Sequence, residues 1–300
     1  MIKNPVKIFL YTLILLFNIV FYSCEKKDVY YELPEMENKL VINCFFNPDS
    51  IWKANISKLD DLQSLSPDTN LWITDAQVLL FEGKKLIDTL KYLKNNEYIS
   101  TKGLKPKFNK SYKIYVKCEN YDNAYSDYQM LPSPIIIDSI ALLDYLPSGI
   151  FPNELYILQE NQQIDYYSIT VKLKNAYHGQ YFKIFASDNQ LNNKEGVYLS
   201  KTSKQNFIEF YSWKCSILES LKTSNLSLEL PFDPDYSEKL NIYTISESYA
   251  LFELSYAEYD FVINTTYLLT PNNIYSNING GLGIFAGYTS NTIDLLNNLE

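Results

Sequence analysis

The chain contains no arginine; all 26 of its basic residues are lysine. Bidentate clamps on carboxylate or phosphate normally use the guanidinium fork, so that mode of recognition is missing. Histidine is nearly absent as well. His178 is the only one, which excludes multi-histidine metal sites and leaves any histidine-based triad a single possible base. It falls in Tyr177-His178-Gly179-Gln180, which reads as a solvated turn between two strands. Besides Cys24 there are three cysteines, Cys44, Cys118 and Cys215, with no Cys-x-x-Cys spacing, so no zinc site is expected. Cys44 and Cys118 fall on inward strand positions and read as small buried hydrophobes, a Cys44–Cys118 bridge being the alternative. No Gly-x-Ser-x-Gly nucleophile elbow occurs. The formal charge is −9, and nucleic-acid binding is excluded for want of a basic footprint.

A long hydrophobic run is also missing. The apolar stretch from Ile8 to Tyr22 spans 15 residues with Asn18 inside it, whereas a membrane-spanning helix needs about 20. Lys3 and Lys7 precede the stretch and Phe21-Tyr22-Ser23-Cys24 ends it. Charge, apolar run, small residue and cysteine in that order read as a bacterial lipoprotein signal over residues 1–23, with the mature chain starting at a lipidated Cys24. The alternative is an ordinary signal peptide with an incidental cysteine. Lipid on Cys24 would anchor the chain to a membrane, each buried methylene contributing about 0.8 kcal/mol. Residues 24–38 are polar, hold one proline and show no apolar period, as a tether would. The Glu25-Lys26-Lys27-Asp28 start resembles a surface-export signal interrupted by Lys27, so the periplasmic and cell-surface faces both stay open.

What is abundant is aromatic: 27 Tyr and 16 Phe. Such residues favour strands and large interior contacts, and they are also common on sugar- and peptide-binding surfaces. Period-two alternation dominates, so the fold class is mainly all-β. Leu40, Ile42 and Cys44 form one apolar face, as do Ala76, Val78 and Leu80. Tyr112, Ile114, Val116 and Cys118 do the same, with Lys113, Tyr115 and Lys117 turned to water. Turn signals separate the runs at Asn47-Pro48-Asp49, Ser66-Pro67-Asp68, Glu82-Gly83-Lys84 and Lys94-Asn95-Asn96. About seven short strands over residues 39–132 suit an immunoglobulin- or fibronectin-like β-sandwich. Leu131-Pro132-Ser133-Pro134 marks a boundary, because two prolines hold the chain extended. Residues 133–300 then read as a second β-sandwich-like unit. Its strands include Tyr167–Leu173, Phe182–Ala186, Leu226–Leu230 and Leu240–Ile245. One helix is expected near 246–259, with Ser246 as N-cap and Tyr249, Phe252, Tyr256 and Tyr259 as an aromatic stripe packed on the end of the sandwich.

Glycine is scarce, at 9 residues, yet Gly280, Gly281, Gly283 and Gly287 fall within eight positions. A dinucleotide loop would need a following helix and a further acid, for which no chain remains. These glycines read as structural: a positive-φ turn or close backbone approach at Gly280 and Gly281, then a final bent strand from Gly283 to Tyr288. The closing stretch from Asn277 to Tyr288 resembles the "Asn-x-x-Gly-Gly-Leu-Gly-x-Phe-x-Gly-Tyr" motif of the Bacteroidetes outer-membrane lipoproteins described as domain of unknown function 4249. Thr74-Asp75-Ala76-Gln77-Val78, the early strand Lys39–Ile42 and the Cys24 start are similar to further pieces of that family. The resemblance covers about Cys24 to Asp294 and brings no activity with it. It implies an accessory role beside TonB-dependent outer-membrane receptors.

Neither catalytic residues nor a cofactor or metal is expected. Asp233-Pro234-Asp235 lacks a full calcium loop and reads as a turn. Carboxylates such as Asp60, Asp61, Asp233, Asp235, Glu247, Glu253 and Glu258 leave a glycosidase-like pair open. The sequence therefore points first to a lipid-anchored outer-membrane accessory or substrate-binding protein, partnering a TonB-dependent receptor, whose small-molecule, glycan or peptide ligand is open. A surface hydrolase and a structural or adhesive envelope protein are the alternatives.

Overall fold

The computed structural model describes residues 39–59, 71–146, 166–187, 194–196, 207–212, 215–221, 224–232, 239–265 and 273–295. The signal and tether, Cys24 included, lie outside them, as do Asp60, Asp61, the Ser66-Pro67-Asp68 turn and Asp233-Pro234-Asp235. The fold is mainly β. Its first strands are β1 (Leu40–Phe46), β2 (Lys53–Lys58), β3 (Gln77–Glu82), β4 (Lys85–Lys94), β5 (Glu97–Ile99), β6 (Ser111–Lys117), β7 (Ala124–Ser126) and β8 (Gln129–Met130). Alternation sets their faces: Leu40, Ile42, Cys44 and Phe46 of β1 are buried, as are Tyr112, Ile114 and Val116 of β6. The turns follow their residues. Asn95 and Asn96 both take positive φ in the β4–β5 turn, a type I′ requirement that asparagine tolerates. The Asn47 side chain accepts the Asp49 and Ser50 amides at 2.9 Å, an Asx turn.

The second half holds β9 (Ile136–Leu146), β10 (Tyr166–Ala176), β11 (Tyr181–Ser187), β12 (Lys194–Gly196), β13 (Phe207–Ser212), β14 (Cys215–Ser220), β15 (Ser224–Phe232) and β16 (Lys239–Ile245). Helix α1 (Glu247–Thr265), β17 (Ile278–Asn279) and β18 (Gly281–Asp294) close the chain. Strands β15, β10 and β9 form a small sheet, and the other 15 strands form one long curled sheet. One core lies inside the curl of β1–β8. A second lies between the small sheet (Ile169, Val171, Leu173, Leu226, Leu228) and the large one (Phe182, Ile184, Leu240, Ile242, Ile293). Between the cores, Leu131 to Ile135 is extended and unpaired by strands. Cys44 and Cys118 are both free thiols, so the bridge entertained for them does not form. The Cys44 thiol donates to the Lys53 carbonyl at 3.1 Å, and burial pushes its pKa far up, as befits a small core residue.

The two halves meet along a strand seam. β18 pairs parallel with β1, from Leu40 opposite Gly281 to Phe46 opposite Gly287, and antiparallel with β16. A Cβ on Gly281 would meet the Leu40 carbonyl oxygen at 2.7 Å, and one on Gly283 would meet that of Ile42 at 2.1 Å. Gly280 turns the chain from β17 into β18 at φ +73°. The motif's other residues complete the lock. Asn277, buried, accepts the Phe285 amide at 2.9 Å and donates to the Phe285 carbonyl at 2.8 Å. Phe285 then enters the first core beside Phe46 and Trp52. Asn47 donates to the Tyr288 hydroxyl at 2.6 Å.

The helix differs from expectation in length and place. It runs to Thr265, because no glycine or proline interrupts Asp260–Thr265. Instead of closing an end, it lies against β18, β11, β13 and β14, on the sheet face opposite the small sheet. That is why β16 is buried nearly throughout instead of alternating. Ser246 caps it, its hydroxyl accepting the Tyr249 amide at 3.4 Å. Of the aromatic stripe, Tyr249 is buried against Phe45 and Phe252 is half-buried, while Tyr256 and Tyr259 are exposed. Under the helix, Lys183 of β11 donates to Glu253 at 2.5 Å and approaches the Tyr249 hydroxyl at 3.5 Å. Both charged side chains are less than one-fifth exposed, so removing one strands the other in a poorly hydrated place. We expect Lys183→Met or Glu253→Leu alone to cost about 1–3 kcal/mol. The double replacement should lose less than the sum, a coupling readable in a denaturant double-mutant cycle.

Candidate functional site

A site must use residues that the fold does not consume, and the outer face of β3, β6 and β7 supplies them. Alternation sends Val78, Leu80, Ile114 and Val116 inward, and it necessarily sends Leu79, Phe81, Lys113, Tyr115 and Lys117 outward. The register places Phe81 opposite Lys113, Leu79 opposite Tyr115, and Tyr115 opposite Tyr125 of β7. The Tyr115 and Tyr125 rings lie 9° from parallel with centroids 6.4 Å apart. Tyr128 folds back over the β3–β4 turn, its hydroxyl donating to the Gly83 carbonyl at 3.0 Å. Tyr125 is 38% exposed and Tyr128 50%.

Lys113 stands between these rings. Its Nζ lies 4.0 Å from the Tyr125 ring centroid and 5.6 Å from that of Tyr128. Such cation–π contacts fix the long side chain over the ring faces. Among the described residues Lys113 forms no ion pair, and nor does the exposed Lys117 on the same face of β6. The nearby acids are engaged: Glu82 pairs with Lys110 at 3.1 Å, and Asp127 accepts the Asn279 side-chain amide at 3.1 Å. The charge of the chain is also uneven. Residues 39–132 carry 13 Lys against 11 Asp and Glu, whereas residues 133–300 carry 9 Lys against 19. The aromatic face thus sits in the basic part of an acidic protein. Its chemistry is flat stacking surface with one ammonium, that of Lys113, held beside it.

The other polar clusters have structural duties. Asp88 is the one charged residue fully buried among those described; its carboxylate accepts the Ser100 hydroxyl at 2.5 Å and its own neighbour's amide at 2.8 Å, with Lys102 at 3.8 Å. Glu253 is neutralised by Lys183. Burial holds the Tyr249 hydroxyl well above the usual phenol range, with Lys183 opposing the shift, and Tyr243 is raised for the same leading reason. No cluster of three or more metal-ligating side chains occurs among the described residues. His178 sits exposed in its turn. Gly281, Gly283 and Gly287 are spent on the β1–β18 seam, and Gly280 on the turn that leads into it, packed against Asn123. The aromatic face itself was half-visible in the sequence. Lys113, Tyr115 and Lys117 stood at outward positions, and a tyrosine between two outward lysines was its signal. The contribution of Tyr125 and Tyr128 had none.

A family model described as "Domain of unknown function (DUF4249)" matches residues 26–294. No curated protein matches the chain. Among solved structures, it is similar to the yeast delta-COP-I mu-homology domain complexed with a Dsl1 WxWxV peptide, at 12% identity over 86% of this chain and 98% of that one. The TM-score is 0.23, and a likeness at that level carries no argument.

Proposed function

The chain belongs to the family of domain of unknown function 4249, and on that premise we propose that it is a lipid-anchored outer-membrane substrate-binding or accessory protein working beside a TonB-dependent transporter. The observation that carries the reading is the solvent-facing tyrosine–lysine surface of β3, β6 and β7, which no packing duty explains. Cys24 at the end of a short apolar run supports the anchor. The family motif itself is spent on the β1–β18 seam, so membership predicts a body plan and leaves the ligand to the surface. Surface hydrolysis finds less support: among the described residues, buried Asp88 and half-buried Glu82, Glu97 and Glu253 are each tied to a lysine.

Two measurements test the proposal. Mass spectrometry of the native protein should find acyl chains on Cys24, and Cys24→Ser should move the protein from the membrane to the soluble fraction. Affinity purification from detergent-solubilised outer membranes should recover a TonB-dependent receptor in repeated preparations. An unacylated first residue removes the anchor from the proposal, and repeated recovery of no receptor removes the partner.

A further inference from the structure

We infer that the outer face of β3, β6 and β7 binds an anionic polysaccharide, a uronate- or sulfate-bearing chain. The inference rests on the substrate-binding reading above and names its ligand class. Three features select that occupant. The first is shape. A sheet face is open along and across its strands, so a ligand that covers it is extended. Pyranose rings present flat C–H faces, and the near-parallel Tyr115 and Tyr125 rings offer flat faces to meet them. The second is charge. Lys113 and Lys117, on this face of β6, have no ion-pair partner among the described residues, and Lys113 is held over two rings. An acid group carried on a stacked sugar would therefore meet an ammonium already in position. A neutral glycan would leave those cations unused.

The third feature is what the face lacks as a site for other macromolecules. Extended peptides add to a sheet edge through backbone hydrogen bonds. Here β3 is paired on both sides, by β4 and β6, and β6 by β3 and β7. Membrane-surface contact relies on an apolar helix face or projecting anchors. Tyr115 and Tyr125 instead lie within paired strands, opposite each other in register.

The test is affinity electrophoresis and calorimetry with the full-length, detergent-solubilised protein. The probes are polygalacturonate and dextran sulfate, with plain dextran, poly-glutamate and phosphatidylglycerol vesicles as alternatives. At least one acidic polysaccharide should bind, and more tightly than dextran and poly-glutamate. Tyr125→Ala and Lys113→Gln should each weaken that binding about tenfold. Tyr256→Ala, on the exposed helix surface, should leave it unchanged. Tyr125 is exposed and Lys113 half-buried, and unchanged melting curves verify folding. The inference is overturned if neither acidic polysaccharide binds, or if Tyr125→Ala and Lys113→Gln bind as wild type. Equal binding of poly-glutamate would reduce the face to a charge effect, and vesicle binding that Tyr125→Ala and Lys113→Gln both weaken would make it a membrane contact distinct from the Cys24 anchor; either overturns it. Receptor co-purification is read separately, so the ligand class can fall while the transporter reading stands.

Discussion

Gly283→Val should yield little or no folded protein, and Gly283→Ala should lower stability by more than about 4 kcal/mol. Two costs add at this position. Gly283 has φ +108°, which side chains rarely adopt. Its added Cβ would also lie 2.1 Å from the Ile42 carbonyl oxygen and 2.8 Å from the carbonyl carbon. Both atoms belong to β1, so the clash can be relieved only by parting the β1–β18 ladder, the longest strand pairing between the two halves among the described residues. Gly103 separates the terms. It has φ +64° with nothing within 4 Å of an added Cβ, so Gly103→Ala should cost only about 1–2 kcal/mol. Gly287→Ala, with ordinary φ but Met130 oxygen at 2.6 Å and the Phe46 ring at 2.9 Å, should fall between them. Urea midpoints of the three alanine variants give the ranking. Equal losses at Gly283 and Gly103 would mean that backbone strain alone matters and that the seam is soft.

That seam shows where sequence reasoning reaches its limit. Period-two alternation identifies inward faces because each strand carries its own pattern, and Leu40, Ile42, Val78, Leu80, Ile114 and Val116 are all buried. Turn residues and the Ser246 cap are equally local signals. The glycine cluster announced a turn and a bent strand, yet not its partner. A ladder between residues 40–46 and 281–287 leaves no local trace, since parallel register is set by whichever strand packs there. The helix illustrates the same gap. An aromatic stripe at spacings of three and four names one face, but only the sheet decides how much of it is covered. Here the cover stops after Phe252, so Tyr256 is 51% exposed. The tyrosine–lysine surface needed both levels: alternation put Lys113 and Tyr115 outside, and only tertiary structure brought Tyr125 and Tyr128 around the ammonium.

The second large effect is expected at Asn277, and it should depend on pH. The side chain is a two-way amide, donating to the Phe285 carbonyl and accepting the Phe285 amide, with both atoms buried. Asn277→Leu strands a buried donor and a buried acceptor, at about 1–3 kcal/mol each. Asn277→Asp keeps the acceptor but turns a second carboxylate oxygen toward the Phe285 carbonyl. Burial and that repulsion both disfavour the ionised form, so the folded-state pKa rises above the unfolded value of about 3.9. The sign follows from proton linkage. A folded-state pKa above the unfolded one means that the native state binds the extra proton, so the variant loses stability as pH rises from the unfolded to the folded value. Below that window the protonated carboxyl donates to the Phe285 carbonyl as the amide does, and the variant should approach wild type. At pH 7 to 8 it should show its full deficit. Denaturant midpoints of wild type, Asn277→Asp and Asn277→Leu, compared at each pH from 4 to 8, separate the cases. A deficit in Asn277→Asp that is flat across this range, parallel to that of Asn277→Leu, would show that the Phe285 carbonyl finds another donor and that Asn277 does not clamp the closing strand.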